Sequence, residues 1–224
     1  MKLSSCLLAV LALTAAPTFA QEKADPAFAP ITDRPELPRV LLIGDSISIG
    51  YTLEVRARLA EKANVHRIPE NGGSTLDGLT KLDRWLSNGK WDVIHFNWGL
   101  HDLKHWKDRK LDLAGPQVAP LEVYERNLRA LVTRLKATRA KLIFATTTPV
   151  PERSAGRVAA DEIKYNEAAL RVVNEAGVAI DDLHAVAAEK IAEIQRPQNV
   201  HFRSEGNRVL GERVAESITA ALAK

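Results

Sequence analysis

Four unbroken apolar runs constrain this chain most: RVLLIG at 39–44, DVIHFN at 92–97, KLIFATT at 141–147 and VAID at 178–181. They are continuous rather than alternating, the pattern of strands covered on both faces in a parallel sheet. VHRIP at 65–69 is a weaker fifth candidate. Parallel neighbours need crossovers, and the segments between the runs carry helical patterns. Residues 52–63 are rich in Leu, Glu, Arg and Ala, and residues 120–138 set Tyr124, Leu128, Leu131 and Leu135 on one face. Residues 158–176 and 183–194 also read as helical, and a last helix from near Ser204 carries Leu210, Val214, Ile218 and Leu222 as a stripe. Strands alternating with helices imply right-handed βαβ units. The expected fold is α/β: a three-layer α/β/α sandwich around a mainly parallel five-stranded sheet.

The ends of the chain divide differently. Lys2, the apolar LLAVLALTAA and the small-residue TFA at 18–20 have the order of a secretory signal peptide, with cleavage near Ala20. Cys6, the single cysteine, falls inside that segment and away from the cleavage site, so neither a lipid anchor nor a disulfide or thiolate chemistry is expected in the exported chain. The expected location is therefore secreted or periplasmic, without a stable membrane anchor. Residues 21–38 read as a Pro/Ala-rich leader over the surface, and residues 39–224 as one domain. A formal charge of +3 over 224 residues gives no case for a nucleic-acid partner.

In sheets of this kind ligands bind beyond the carboxyl ends of the strands. Polar residues collect there: Asp45 and Ser46 after the first run, Asn71-Gly72-Gly73 after the second strand candidate, Asn97 to Asp102 after the next run, and Thr146 to Pro149 after the one following. Ser46 would lie at a helix N-terminus, where backbone N–H groups favour developing negative charge. It needs a base. His95 lies within an apolar strand and reads as a core residue, and His66 and His184 as surface residues, which leaves His101, His105 and His201.

Gly44-Asp45-Ser46, Asn71-Gly72-Gly73, GLHD at 99–102 and NVHFRSEGNRVLGERV from 199 appear in one order. In that order and spacing they resemble the four blocks of SGNH (GDSL-type) hydrolases, over roughly residues 39–222. The resemblance implies the flavodoxin-like SGNH fold, with Ser46 as nucleophile and His201 as general base. It also implies an oxyanion hole from the Ser46 and Gly73 N–H groups and a third donor. That third position is usually Asn; here it is His101, with Asn97 the nearest alternative amide. The family's histidine-orienting Asp is replaced by Gln198, followed by Asn199, so a neutral amide is expected to orient the ring. Asp45 and Asp102 read as loop caps or tethers, and Tyr165 and Asn166 as packing or supporting residues.

Residues 103–118 form an excursion with Lys104, Lys107, Arg109 and Lys110 around Trp106, and Trp98 stands close by. Both tryptophans are candidate sugar-stacking residues beside a basic rim. The expected activity is hydrolysis of short-chain esters, O-acetyl groups above all, on a small acyl ester or an acylated polysaccharide. No cofactor and no metal are expected. A non-catalytic carbohydrate-binding protein and an O-acyltransferase are the alternatives. HDLKH at 101–105 offers a zinc reading with two histidines four apart, and GDSISIG lacks the lysine of a phosphate-binding loop.

Overall fold

The computed structural model describes residues 25–87 and 89–223. The signal-peptide reading of residues 1–20, Cys6 included, lies outside the described residues. The elements are β1 (Arg39–Ile43), α1 (Ser46–Arg58), β2 (Asn64–Arg67), α2 (Thr75–Leu86), β3 (Val93–Phe96), β4 (Trp106–Lys107), β5 (Lys110–Leu111), α3 (Leu121–Ala137), β6 (Lys141–Ala145), α4 (Glu162–Glu175), β7 (Ala179–Asp181), α5 (Leu183–Glu189), α6 (Ile191–Ile194) and α7 (Ser204–Leu222).

β2, β1, β3, β6 and β7 form one fully parallel sheet in that order. The chain first steps from β1 outward to β2, then back past β1 to β3 and onward. Right-handed crossovers therefore put α1 on one face and α2, α3 and α4 on the other. α7 returns to pack along α1, closing the first face. The reversal occurs between β1 and β3, and a crevice opens where their following loops diverge. β1 and β3 are buried along almost their whole length, as the unbroken apolar runs require. Tyr124, Leu128, Leu131 and Leu135 of α3 are fully buried, as are Leu210, Val214 and Ile218 of α7.

Several boundaries differ from the sequence reading. α1 begins at Ser46, where a helix N-terminus was expected and where the Asp45 carboxylate caps it by accepting from Ile47 N–H at 2.9 Å, but it ends at Arg58 rather than at residue 63. α2 was not foreseen; Ser74 and Asp77 form a reciprocal capping box at its start. The 183–194 helix is broken at Lys190 into α5 and α6. The 103–118 excursion contains a small β4–β5 hairpin. Residues 25–38 run over the surface but are pinned to β2: Asn64 Nδ2 donates to the carbonyls of Arg34 and Leu37, both at 2.9 Å.

Candidate active site

Ser46 is the first residue of α1, on the tight turn that leaves β1. Two things hold that turn. Gly72 N–H donates to Gly44 C=O at 2.9 Å, and a Cβ on Gly72 would stand only 2.8 Å from that carbonyl oxygen, so the two loops meet backbone to backbone. From β2, the buried Arg67 guanidinium donates to the carbonyls of Gly44 and Asp45, each at 3.0 Å, and to that of Glu70 at 3.0 Å. Burial lowers its pKa to about 10, so it remains a cation at neutral pH. Arg67 had no signal in the sequence beyond being a charged residue at a strand end.

His201, just before α7, faces this serine: its Nε2 is 2.9 Å from Ser46 Oγ. The proton positions follow from the partners. Asn199 Oδ1 accepts from the backbone N–H of His201 at 2.9 Å, so the atom there must be the amide oxygen. The same oxygen lies 2.7 Å from His201 Nδ1, which must therefore carry a hydrogen. Nε2 is left with its lone pair toward the serine hydroxyl. Gln198, at the position the motif assigns to the orienting acid, makes no hydrogen bond among the described residues; its φ of +56° turns the chain and brings Asn199 to the ring instead. Burial is the largest influence on His201 and holds its pKa below the ordinary value. Asp45 pulls it up, and Arg196 and Arg157 push it down.

The expected oxyanion donors are distributed unevenly. The Ser46 N–H lies in the first turn of α1, where no intrahelical partner exists. Gly73 has φ +61°, and a Cβ there would run into the Asp77 carboxylate, so only glycine fits. Its N–H donates to Asn71 Oδ1 at 2.9 Å. His101 is mostly buried, and its Nδ1 is 3.2 Å from Lys104 Nζ. Asn97, the alternative donor, is corrected by its contacts. Its Nδ2 donates across the strand ends to Ala145 C=O at 2.7 Å and to Thr147 Oγ1 at 3.2 Å, so both amide hydrogens are engaged.

Trp98 is a second correction. It is 0% exposed, with its indole N–H on Gly72 C=O at 3.3 Å, and its ring packs where Gly78 of α2 leaves room. It offers no face to a sugar. Trp106 in the hairpin is 40% exposed, with Lys104 Nζ 4.9 Å from its ring centroid. Arg157, which sequence reasoning passed over, donates from Nε to Leu100 C=O at 3.0 Å and sets a positive charge near both His101 and His201.

Asp45 caps α1, and Asp102 ties its loop to the start of α2, accepting from Thr75 N–H at 2.9 Å and from its hydroxyl at 2.5 Å. Burial raises the Asp102 pKa to about 7. Asn166 brackets the Thr147 backbone, and the Tyr165 hydroxyl donates to Ala119 C=O. Residues 99–105 form turns and a bridge, so the spacing of His101 and His105 does not align their rings on a helix. Among the described residues no group of three His, Cys, Asp or Glu side chains is arranged to hold a metal ion. Nor is any described helix long and apolar enough to cross a membrane.

The arrangement is a hydroxyl at a helix N-terminus, a lone pair aimed at it, and polarised N–H groups nearby. Such a set can add an oxygen to a carbonyl and stabilise the resulting anion.

Comparison with known proteins agrees with this architecture. A lipase/acylhydrolase from Enterococcus faecalis superposes with a TM-score of 0.67 at 20% identity, covering 82% of this chain and 96% of that one. An acetylxylan esterase from Geobacillus stearothermophilus gives 0.65 at 20% identity, covering 81% and 94%. Another acetyl xylan esterase gives 0.66 at 16% identity, covering 80% and 99%. No curated protein sequence matches the chain. The model of the GDSL-like lipase/acylhydrolase family matches residues 42–209, from β1 into α7. The chain belongs to that family, and its reaction class is the hydrolysis of ester bonds.

Proposed function

We propose that this chain is an exported serine esterase that removes short acyl groups, acetyl above all, from a carbohydrate. The observation that carries the proposal is the line from Ser46 Oγ through His201 to Asn199, with Nε2 2.9 Å from the hydroxyl and Nδ1 2.7 Å from the amide oxygen. His201 takes the Ser46 proton as Oγ attacks the ester carbonyl. The carbonyl oxygen becomes an anion against the Ser46 N–H, the Gly73 N–H and the His101 ring. Asn71 Oδ1 holds the Gly73 N–H at rest, and the oxyanion, a stronger acceptor, competes for it. Protonated His201 then gives its proton to the departing sugar oxygen. In the second half-reaction it activates water, which releases the acid and restores Ser46.

The substrate half rests on the walls. The cleft beside Ser46 has a volume of about 300 Å³; Asp25, Arg196 and Asn207 border it with polar groups that suit sugar hydroxyls, and Ile47, Ile49 and Phe202 add a small apolar part. Trp106 gives an exposed aromatic surface on the hairpin side. Two of the similar structures are acetylxylan esterases, which agrees with an acetylated glycan. The export half rests on the sequence of residues 1–20 alone.

Turnover of p-nitrophenyl acetate by wild type, Ser46→Ala and His201→Ala tests the mechanism. Each variant is expected to lose about 10⁴-fold or more in kcat. Equal rates in all three would end the reading. Acetate release from an acetylated xylo-oligosaccharide tests the substrate. Trp106→Ala is expected to raise KM on the glycan about three- to tenfold, the scale of one aromatic contact, and to leave KM for p-nitrophenyl acetate unaffected.

A further inference from the structure

The two histidines at the site face opposite kinds of partner. His201 Nδ1 meets an acceptor, the oxygen of Asn199, and must carry its hydrogen there. His101 Nδ1 meets a donor, the Lys104 ammonium at 3.2 Å. An ammonium has hydrogens and no lone pair, so Nδ1 of His101 must be bare and its hydrogen must sit on Nε2. That N–H has no partner among the described residues. One ring is thus set to take a proton at Nε2, and the other to offer a hydrogen bond from Nε2.

Lys104 is itself held in place. Gly99 C=O accepts from the N–H groups of Asp102 and Leu103, a turn that brings Lys104 back under His101 three residues earlier. Val118 N–H donates to Lys104 C=O at 2.9 Å, and the ammonium lies over the Trp106 ring. Charges near His101 act in both directions. Burial, the largest influence, disfavours its protonation together with Lys104 and Arg157, Asp45 and Asp77 favour it, and the balance holds its pKa below the ordinary value. Burial holds both His101 and His201 below the ordinary histidine value, so both rings are neutral above that pH.

We propose that Lys104 is a positioning residue that locks His101 as a neutral Nε2–H donor to the oxyanion and polarises that donor with its own charge. An ammonium on the far nitrogen draws electron density through the ring, so the Nε2–H donates more strongly without titrating. The inference rests on the serine-esterase reading for its kinetic consequence, but the tautomer it assigns does not.

The test combines both. Lys104→Met keeps the aliphatic stem and loses donor and charge; kcat on p-nitrophenyl acetate should fall about tenfold with little change in KM, since charge assistance roughly doubles a hydrogen bond's strength. His101→Ala should lose about 10²–10³-fold, and adding Lys104→Met to it should cost nothing more. A lysine that only packs the hairpin would lower kcat by the same factor in both backgrounds, which would overturn the proposal. The ¹⁵N spectrum of the His101 ring in the resting enzyme should show a bare Nδ1 and a protonated Nε2. Lys104→Gln, a neutral donor, should preserve that signature, and Lys104→Met should lose it. A protonated Nδ1 in wild type would sink the assignment whatever the kinetics. Full activity in Ser46→Ala would sink the esterase reading and leave the tautomer standing.

Discussion

His66, His95, His184 and His201 each face a side-chain oxygen, and the contrast between the buried His95 and the rim His201 shows what places a ring to do chemistry. His95 Nε2 lies 3.0 Å from the Asp181 carboxylate, and the other oxygen of that carboxylate accepts from Arg213 Nε at 2.8 Å. The three residues tie β3, β7 and α7 together. His95 is 0% exposed, Tyr51 meets its ring edge-on, and its Nδ1 is buried with no partner among the described residues. His201 instead leans on a neutral amide at the sheet's rim and points its free lone pair at a hydroxyl. Taken as a pattern of residue types, the first pair looks more like two-thirds of a Ser-His-Asp triad than the second does. What makes a base is a lone pair held against an ionisable proton with a route for substrate, and His95 has neither.

The widest separation between the two pairs should appear on substitution of the rings themselves. His201→Ala is expected to lose about 10⁴-fold or more in kcat with little change in stability, since the ring is near the surface. His95→Gln, which sets an amide nitrogen near the Nε2 position, should keep kcat per folded enzyme within about twofold while losing about 1–3 kcal/mol of stability. Denaturant unfolding read beside p-nitrophenyl acetate turnover measures both. A His95→Gln enzyme that folded fully and yet lost rate as His201→Ala does would collapse the distinction.

The same contrast marks what could be read from the chain and what could not. The unbroken apolar runs specified strands buried on both faces, and the α3 and α7 stripes specified helices, because burial leaves a periodic trace. Ser46 and His201 were legible because they follow a strand and precede a helix in four ordered blocks. α2 was overlooked although Leu82 and Trp85 are buried and Leu79 and Leu86 pack against the core, a stripe that was legible in the chain. Asn199 could not be chosen over Gln198 by spacing, since the selection is made by one positive φ. Trp98 stands beside the motif yet is buried, because Gly78 across the layer makes room for it. Arg67, Lys104 and Arg157 act on carbonyls and a ring nitrogen brought close only by folding, and such contacts leave no pattern along the chain.

Removing the acceptor at His201 should have an intermediate effect. Asn199→Ala leaves Nδ1–H without its partner and frees the ring to rotate or to exchange tautomers. Nothing then imposes the wrong tautomer, so the loss should be smaller than that of the ring itself, about 10- to 100-fold in kcat. Equal kcat for Asn199→Ala and wild type would show that the backbone turn alone orients the imidazole.

Asn199→Asp is the subtlest change and the most discriminating, because it makes the rim pair resemble the core pair in charge. A carboxylate can still accept from the His201 N–H and from Nδ1–H, so the geometry needs no adjustment. Its charge favours the imidazolium and must raise the His201 pKa. In wild type, burial, Arg196 and Arg157 together outweigh Asp45 and hold that pKa below the ordinary histidine value. The base works in its neutral form, so kcat/KM for wild type should hold to more acidic pH than an ordinary histidine allows, and then fall as His201 protonates. In Asn199→Asp the acid limb must move to higher pH. The alkaline plateau should rise a few-fold, roughly the margin of one charge-assisted hydrogen bond, because the imidazolium formed during attack is stabilised. The two profiles should therefore cross, wild type being faster in acid and the variant faster in base. Profiles that kept their order across the range, or a limb displaced toward acid, would mean that His201 is not the group whose protonation limits the reaction.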